Sequence, residues 1–300
     1  MYLHNDKELF NDIISLTAER LGQAQDIVEK DYYVTIILRE LADCDYPICF
    51  KGGTSLSKAF GVIDRFSEDI DITFTERLGK SRRKNLKYDI LKPLSEKLGF
   101  EIVNWDSIES NKDYNHYDFA YNSIVDNPFL TTYVKLETAL MSYAFPTEEQ
   151  MIGNYIYTAL KDDEPELIEE YNLFPFPMQV QSLERTLIDK IFALCDYYIQ
   201  NRAARNSRHL YDIYKLGQRI TIDDNLRALF KEVRSHRLEI KDNVAPSADP
   251  SVDVVATIKE FCDTDFYAAD YERTTRNLIS DEVTYQDVKN YILKFINDLL

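Results

Sequence analysis

The chain has 300 residues, 45% hydrophobic and 29% charged, the balance of a globular protein long enough for two ordinary domains, or one large one, with a substantial core. Asp and Glu outnumber Lys and Arg by 52 to 35, and the net charge of −17 argues against nonspecific binding to nucleic acid, which needs clustered positive charge. No apolar run reaches the roughly 18 residues of a membrane span, and the acidic start MYLHNDKELFND lacks a signal-peptide pattern, so a cytoplasmic location is expected.

Apolar residues at helical intervals predict two opening helices, over 6–22 and 24–42, the first ending at Gly22. The short run YPICF (46–50) predicts a strand leading into the pair Gly52-Gly53, and DIDITF (69–74) alternates like a strand. Residues 83–100 read as an amphipathic helix bent near Pro93, followed by strands in FEIVNW, HYDFAYNSIV and TTYVKLETALM. After about residue 145 the composition shifts. The stretch 161–181 is acidic and carries Pro165, Pro175 and Pro177, which suits a connector, and from Ser182 the pattern is mostly helical. The expected organisation is an α+β domain over 1–150 with two N-terminal helices, a connector over 151–181 and a helical domain over 182–300. Cys44, Cys49, Cys195 and Cys262 are too scattered for a disulfide framework or a metal motif and read as reduced thiols in or near the core. His4, His116, His209 and His236 form no motif.

The chemistry concentrates around DIDITF. In a strand, Asp69 and Asp71 share one face while Ile70 and Ile72 share the other. Two like charges this close repel unless a cation or basic group lies between them. A hard divalent cation such as Mg²⁺, held by one or two carboxylates plus substrate phosphates, would remove the repulsion; the alternative is a hydrated outer strand face. The preceding glycine pair permits close backbone approach to a phosphate, and Thr54, Ser55 and Ser57 add hydroxyls, so a triphosphate seat is expected beside a metal seat. The spacing is not that of a Walker loop. Lys135 and Glu137 share a face of YVKLETAL, and a strand pairing beside DIDITF would bring Glu137 to the two aspartates as a third acid.

Lys190 falls on the apolar stripe of Leu187, Ile191 and Leu194, where it needs an anion, either a carboxylate such as Asp212 or a phosphate. Arg65 and Ser67 precede the acids and could orient phosphate or pack the turn. Two local basic stretches stand out: Arg77, Lys80, Arg82, Arg83, Lys84 and Lys87, and then Arg202, Arg205 and Arg208. Each is a candidate phosphate surface or simply a solvated segment. The tyrosine-rich stretches fall at helical intervals that packing explains.

GGTSLSK followed by RFSEDIDI resembles the first motif of the DNA polymerase β-type nucleotidyltransferases, and in particular their AbiEii toxin branch, to which the mycobacterial MenT toxins are related. VEKDYYVTIILREL before it, YVKLE after it, and LIDKIFAL and RHLYDIYKL in the helical half agree in order, over about Glu29 to Leu216. The resemblance implies a nucleotidyltransferase fold, a small mixed β-sheet with packed helices followed by a helical part. It implies that Gly52, Gly53 and Thr54 or Ser55 hold the nucleotide phosphates, with Arg65 and Ser67 supporting. Asp69, Asp71 and Glu137 would bind Mg²⁺ or Mn²⁺, and Lys190 and Asp212 match the later motifs, Lys190 reaching the triphosphate. Fifteen residues separate Gly53 from Asp69, more than the commonest superfamily spacing, which leaves the phosphate-contacting hydroxyl open. Lys30 and Asp31 match an early motif and are expected to brace the domain junction rather than perform chemistry. The implied activity is transfer of a nucleoside monophosphate from an NTP to an acceptor, with a tRNA 3′ end as one acceptor. The implied role is that of a toxin whose antitoxin is encoded nearby, without a stable complex. Transfer to a protein or small molecule, or a nucleotide-binding regulator without turnover, are the alternatives.

Overall fold

The computed structural model describes residues 1–65, 67, 69–109, 112–125, 127, 131–240 and 245–300; Phe66 and Glu68 of the RFSEDIDI motif lie outside them. The chain forms two units, Met1–Phe60 with Ser67–Val180, and Gly61–Phe66 with Gln181–Leu300.

The first unit begins with α1 (Lys7–Leu21) and α2 (Gln25–Ala42), then β1 (Ile48–Lys51), α3 (Gly52–Lys58) and β2 (Ile70–Phe74). The Asp6 carboxylate accepts the Leu9 N–H to start α1, and Gly22 ends it in the left-handed conformation. A helical run follows as α4 (Lys80–Asn85), a π-helical turn (Leu86–Leu91) and α5 (Lys92–Leu98). The wide turn lies just ahead of Pro93, whose ring would clash with the carbonyl four residues back in a regular helix, so the expected bend takes this form. The unit closes with β3 (Glu101–Ile102), β4 (Tyr114–Ala120), β5 (Tyr133–Tyr143), β6 (Thr147–Ile152), α6 (Tyr155–Leu160), α7 (Pro165–Glu170) and β7 (Phe176–Gln181).

The strands form one mixed sheet in the order β3-β4-β5-β2-β1-β7-β6. β2 runs antiparallel to β1 and parallel to β5, while β1 is parallel to β7. The segment expected as a connector, 151–181, therefore holds the end of β6, the helices α6 and α7 and all of β7, and β7 pairs with β1 inside the sheet. Its alternating burial shows why: Phe176, Met178 and Val180 face inward while Pro177 faces out near the strand start, where it costs little. Alternation also sorts the sheet's faces. Phe50, Ile70, Ile72, Leu136, Tyr117 and Phe119 are buried in the core that also takes in α1 and α2, which leaves the intervening positions to carry polar groups on the other face. Glu29, Lys30 and Asp31 brace this unit: Glu29 accepts from Ser123 and the Ile124 N–H, Lys30 donates to the carbonyls of Thr131 and Tyr133, and Asp31 pairs with Lys58 of α3 and accepts the Tyr155 N–H at 2.9 Å.

The second unit is helical: α8 (Leu183–Ile199), α9 (Arg208–Gly217), α10 (Asp224–Leu238), α11 (Val254–Asp263), α12 (Ala268–Arg273) and α13 (Tyr285–Leu299). Ser182, Asp223 and Asp253 cap α8, α10 and α11, and Thr284 with Asp287 forms a capping box on α13. Among the described residues, no helix is long and apolar enough to cross a membrane.

Candidate active site

Strand register assembles a polar row on the outer face of the first unit's sheet. Asp71 of β2 lies opposite Lys51 on β1 and opposite Glu137 on β5, and Glu137 in turn lies opposite His116 on β4. With strands about 4.8 Å apart, four side chains line up across four strands. Asp71 and Glu137 lie close enough to act on each other, and the Tyr114 hydroxyl lies near Glu137 as well. Lys135 stands 4.0 Å from Glu137. Asp69 sits just before β2, so the predicted strand is one residue too long, yet its charge still reaches Asp71.

Crowding controls the protonation of this cluster. Burial, the adjacent Glu137 charge and, more weakly, Asp69 push the Asp71 carboxyl up to about 7, against a partial offset from Lys51. Burial and the same carboxylates raise the Tyr114 phenol, keeping it protonated as a donor. Below about pH 7 Asp71 thus keeps a proton beside Glu137, and a divalent cation could take its place. Among the described residues, no group of three His, Cys, Asp or Glu side chains is already drawn together as a complete metal cage. The donor set still fits a hard cation, since oxygen ligands from two adjoining strands converge where like charge is costly. Removing the Tyr114 hydroxyl as Tyr114→Phe should lower turnover about tenfold and raise the Mn²⁺ concentration for half-maximal rate, as loss of a group orienting a metal ligand does; an unchanged Mn²⁺ titration would refute this.

Gly52 explains how the turn and the acids fit together. Its φ is +82°, and a Cβ there would lie 2.0 Å from the Asp71 Oδ2. The glycine leaves room for the carboxylate in addition to permitting the turn. The hydroxyls of Thr54 and Ser55 were expected to face phosphate. Both residues are buried: Thr54 Oγ1 bonds Ser67 Oγ at 2.9 Å and donates to the Asp69 carbonyl, and Ser55 Oγ donates to the Gly52 carbonyl at 2.9 Å. These hydroxyls knit the turn to the stretch before β2, because a short polar side chain next to a tight turn finds backbone partners first. No side chain caps the start of α3.

The second unit brings Lys190 and Asp212 together. Asp212 is fully buried and receives Arg65 Nε at 2.7 Å, Arg65 Nη2 at 2.8 Å and Lys190 Nζ at 2.7 Å. Lys190 and Arg65 thus share one buried carboxylate as their anion. The two cations hold the Asp212 carboxyl well below the usual carboxylate range despite burial, and burial lowers the Lys190 ammonium. His209 stacks on Tyr197, and burial together with Lys190 keeps it neutral.

Lys51, Tyr114 and His116 were not singled out in the sequence. Lys51 and Tyr114 fall just outside the predicted strands and His116 at the start of one, and only pairing register shows that Lys51 and His116 share a row with Asp71 and Glu137, with Tyr114 on the same face beside it.

A mixed sheet with a glycine turn and clustered carboxylates on one face, together with a helical unit, has the architecture of a nucleotidyltransferase. Residues 36–298 match the profile of the nucleotidyl transferase AbiEii toxin family of type IV toxin–antitoxin systems, and the chain belongs to that family. It is accordingly a nucleotidyltransferase of the toxin class, with an NTP as substrate and an antitoxin as its counterpart. Among solved structures it is similar to MenT4, a nucleotidyltransferase toxin from Mycobacterium tuberculosis H37Rv, at 19% identity and a TM-score of 0.60, over 95% of this chain and 89% of that one. It also aligns with a crystal structure from H. pylori at 16% identity and a TM-score of 0.45, over 92% and 94% of the two chains. A search of curated protein sequences found no match.

Proposed function

We propose that the protein transfers a nucleoside monophosphate from an NTP to an acceptor hydroxyl, with Asp69, Asp71 and Glu137 holding Mg²⁺ or Mn²⁺ and the Gly52-Gly53 turn receiving the phosphates. The observation that carries this is the Asp71–Glu137 pair, side by side in register on the sheet face beside Gly52. The acceptor oxygen forms a bond to the α-phosphorus, the bond to the bridging oxygen breaks, and pyrophosphate leaves. Glu137 takes the acceptor's proton, directly or through water. When bound, the divalent cation neutralises charge on the phosphates. No side chain caps the backbone N–H groups that open α3, so they would be open to the phosphates. Incubation with each α-³²P-labelled NTP, Mg²⁺ and separate tRNA and protein fractions tests the reading. Label on an RNA or protein acceptor, absent with Asp71→Ala, is expected. Saturable NTP binding with no label on any acceptor would favour the non-catalytic alternative.

A tRNA end is the acceptor the family resemblance favours, and the exposed part of the first basic stretch supports it. Lys87 is buried and donates to the carbonyls of Trp105 and Ile108, and Arg82 lies over Tyr46 and donates to the Asp45 carbonyl. Arg77, Lys80 and Lys84 remain exposed. With tRNA as acceptor, Lys80→Gln with Lys84→Gln should weaken RNA binding and lower the slope of log affinity against log salt by about 1–2 units. An unchanged slope would remove this surface from RNA binding.

A further inference from the structure

We infer that Tyr114 and His116, on the outer face of β4, seat the acceptor by stacking against the unpaired base at a single-stranded nucleic-acid end; this rests on the proposed transfer, in which the NTP phosphates lie at the Gly52 side of the acids. In an in-line displacement the attacking oxygen and the departing pyrophosphate take opposite sides of the α-phosphorus. The paired row runs Lys51, Asp71, Glu137, His116 across β1, β2, β5 and β4. With the phosphates at the Gly52-Gly53 turn that follows β1, the acceptor comes over β5 and β4. Strands are about 4.8 Å apart, so a hydroxyl at Glu137 leaves the group that carries it above β4.

Two rings wait there. Tyr114 and His116 share a face of β4, whose alternate residues Asn115 and Tyr117 are buried. Tyr114 is 52% exposed and the His116 side chain 47%. Among the described residues, neither ring stacks on another aromatic. β3 pairs only with Phe119 and Ala120 of β4, so among the described residues no strand flanks Tyr114 to Tyr117 on the outer side, and a bound chain can leave the sheet there. The surrounding charges select the ligand. Glu137 lies opposite His116, Asp118 is 3.8 Å from the His116 ring, and Lys135 stands opposite Asp118 and 4.0 Å from Glu137. Two carboxylates beside one ammonium disfavour a phosphate on this face. The neutral, flat ring of a base meets no such penalty and stacks on Tyr or His.

The test measures binding of a fluorescein-labelled single-stranded decamer with a free 3′ hydroxyl to the full-length chain, in saturating Mn²⁺ with a non-reacting α,β-methylene NTP. The decamer is made as RNA and as DNA, to tell those two sources apart. His116→Ala and Tyr114→Leu should each weaken binding of the preferred decamer about tenfold, whereas His116→Phe and Tyr114→Phe, which keep a ring, should stay within about threefold of wild type. The slope of log affinity against log salt should be the same in His116→Ala as in wild type, because contact with a base releases no counterion. Unchanged affinity in both ring-deleting variants would overturn the inference, as would His116→Phe binding as weakly as His116→Ala. A shallower salt slope in His116→Ala would make the contact one to phosphate and also overturn it. So would a wild-type chain that does not bind either decamer, or that transfers label to protein alone. A wild-type chain that shows the stacking pattern but transfers no label to any acceptor would overturn the transfer reading and leave the seat standing as a binding site.

Discussion

Asp71→Asn should reduce nucleotidyl transfer by about 10³-fold or more, because it removes a carboxylate assigned to charge neutralisation worth several kcal/mol at the transition state. The same substitution should stabilise the metal-free protein at neutral and mildly alkaline pH. The Asp71 pKa is raised from 3.8 to about 7 by burial and by Glu137. Between those values the folded chain holds a proton that the unfolded chain has released, so this group's contribution to stability is full below about pH 4 and is lost as pH rises through about 7. Thermal unfolding in EDTA at pH 5 and pH 8 measures it: wild type should lose more stability across that interval than Asp71→Asn. An equal loss in both would show that Asp71 does not carry the shared proton. By the same linkage, Mn²⁺ binding must expel that proton, so metal affinity should rise with pH up to about 7 by as much as roughly tenfold per unit and then level off.

Gly52→Ala should damage activity nearly as much as loss of Asp71, while leaving the acid cluster chemically intact. An alanine would meet Asp71 Oδ2 at 2.0 Å and Cγ at 2.8 Å in a backbone with φ +82°. The left-handed conformation alone costs a residue with a Cβ about 1–2 kcal/mol, and the clash is relieved only if the Asp71 carboxylate or the turn itself shifts. Gly22 is the matched control. Its φ is +62°, but nothing lies within 4 Å of the added Cβ, so Gly22→Ala should cost stability alone. Steady-state transfer rates and melting temperatures of the two variants separate the effects. Comparable activity in both would mean that the close approach to Asp71 has no catalytic consequence.

Much of the site's chemistry is written locally. Alternation in DIDITF puts Ile70 and Ile72 into the core and leaves Asp71 for the opposite face, because strand side chains alternate whatever the neighbours are. The helices over 7–21, 25–42 and 183–199 follow from 3.6-residue periodicity, and the order of the short motifs suffices to identify the nucleotidyltransferase class. Glu137 was also legible as a third acid, provided its strand paired beside β2, which it does in parallel register.

What only the tertiary structure decided are the partners. Which residues lie opposite Asp71 and Glu137 depends on pairings between segments tens of residues apart, so Lys51 and His116 joined the row, and Tyr114 its neighbourhood, only once register was known. The strand Phe176–Gln181 was hidden by its prolines and recovered by pairing with β1. Asp212 could not be matched to Arg65 from sequence, since 147 positions separate them and a buried carboxylate is satisfied by whichever cations the fold delivers. Local periodicity thus determined which residues face the core and which are left to react. Long-range packing determined which of those charges meet, because burial and proximity, and not residue identity, set the protonation of Asp71 and the pairing of Lys190.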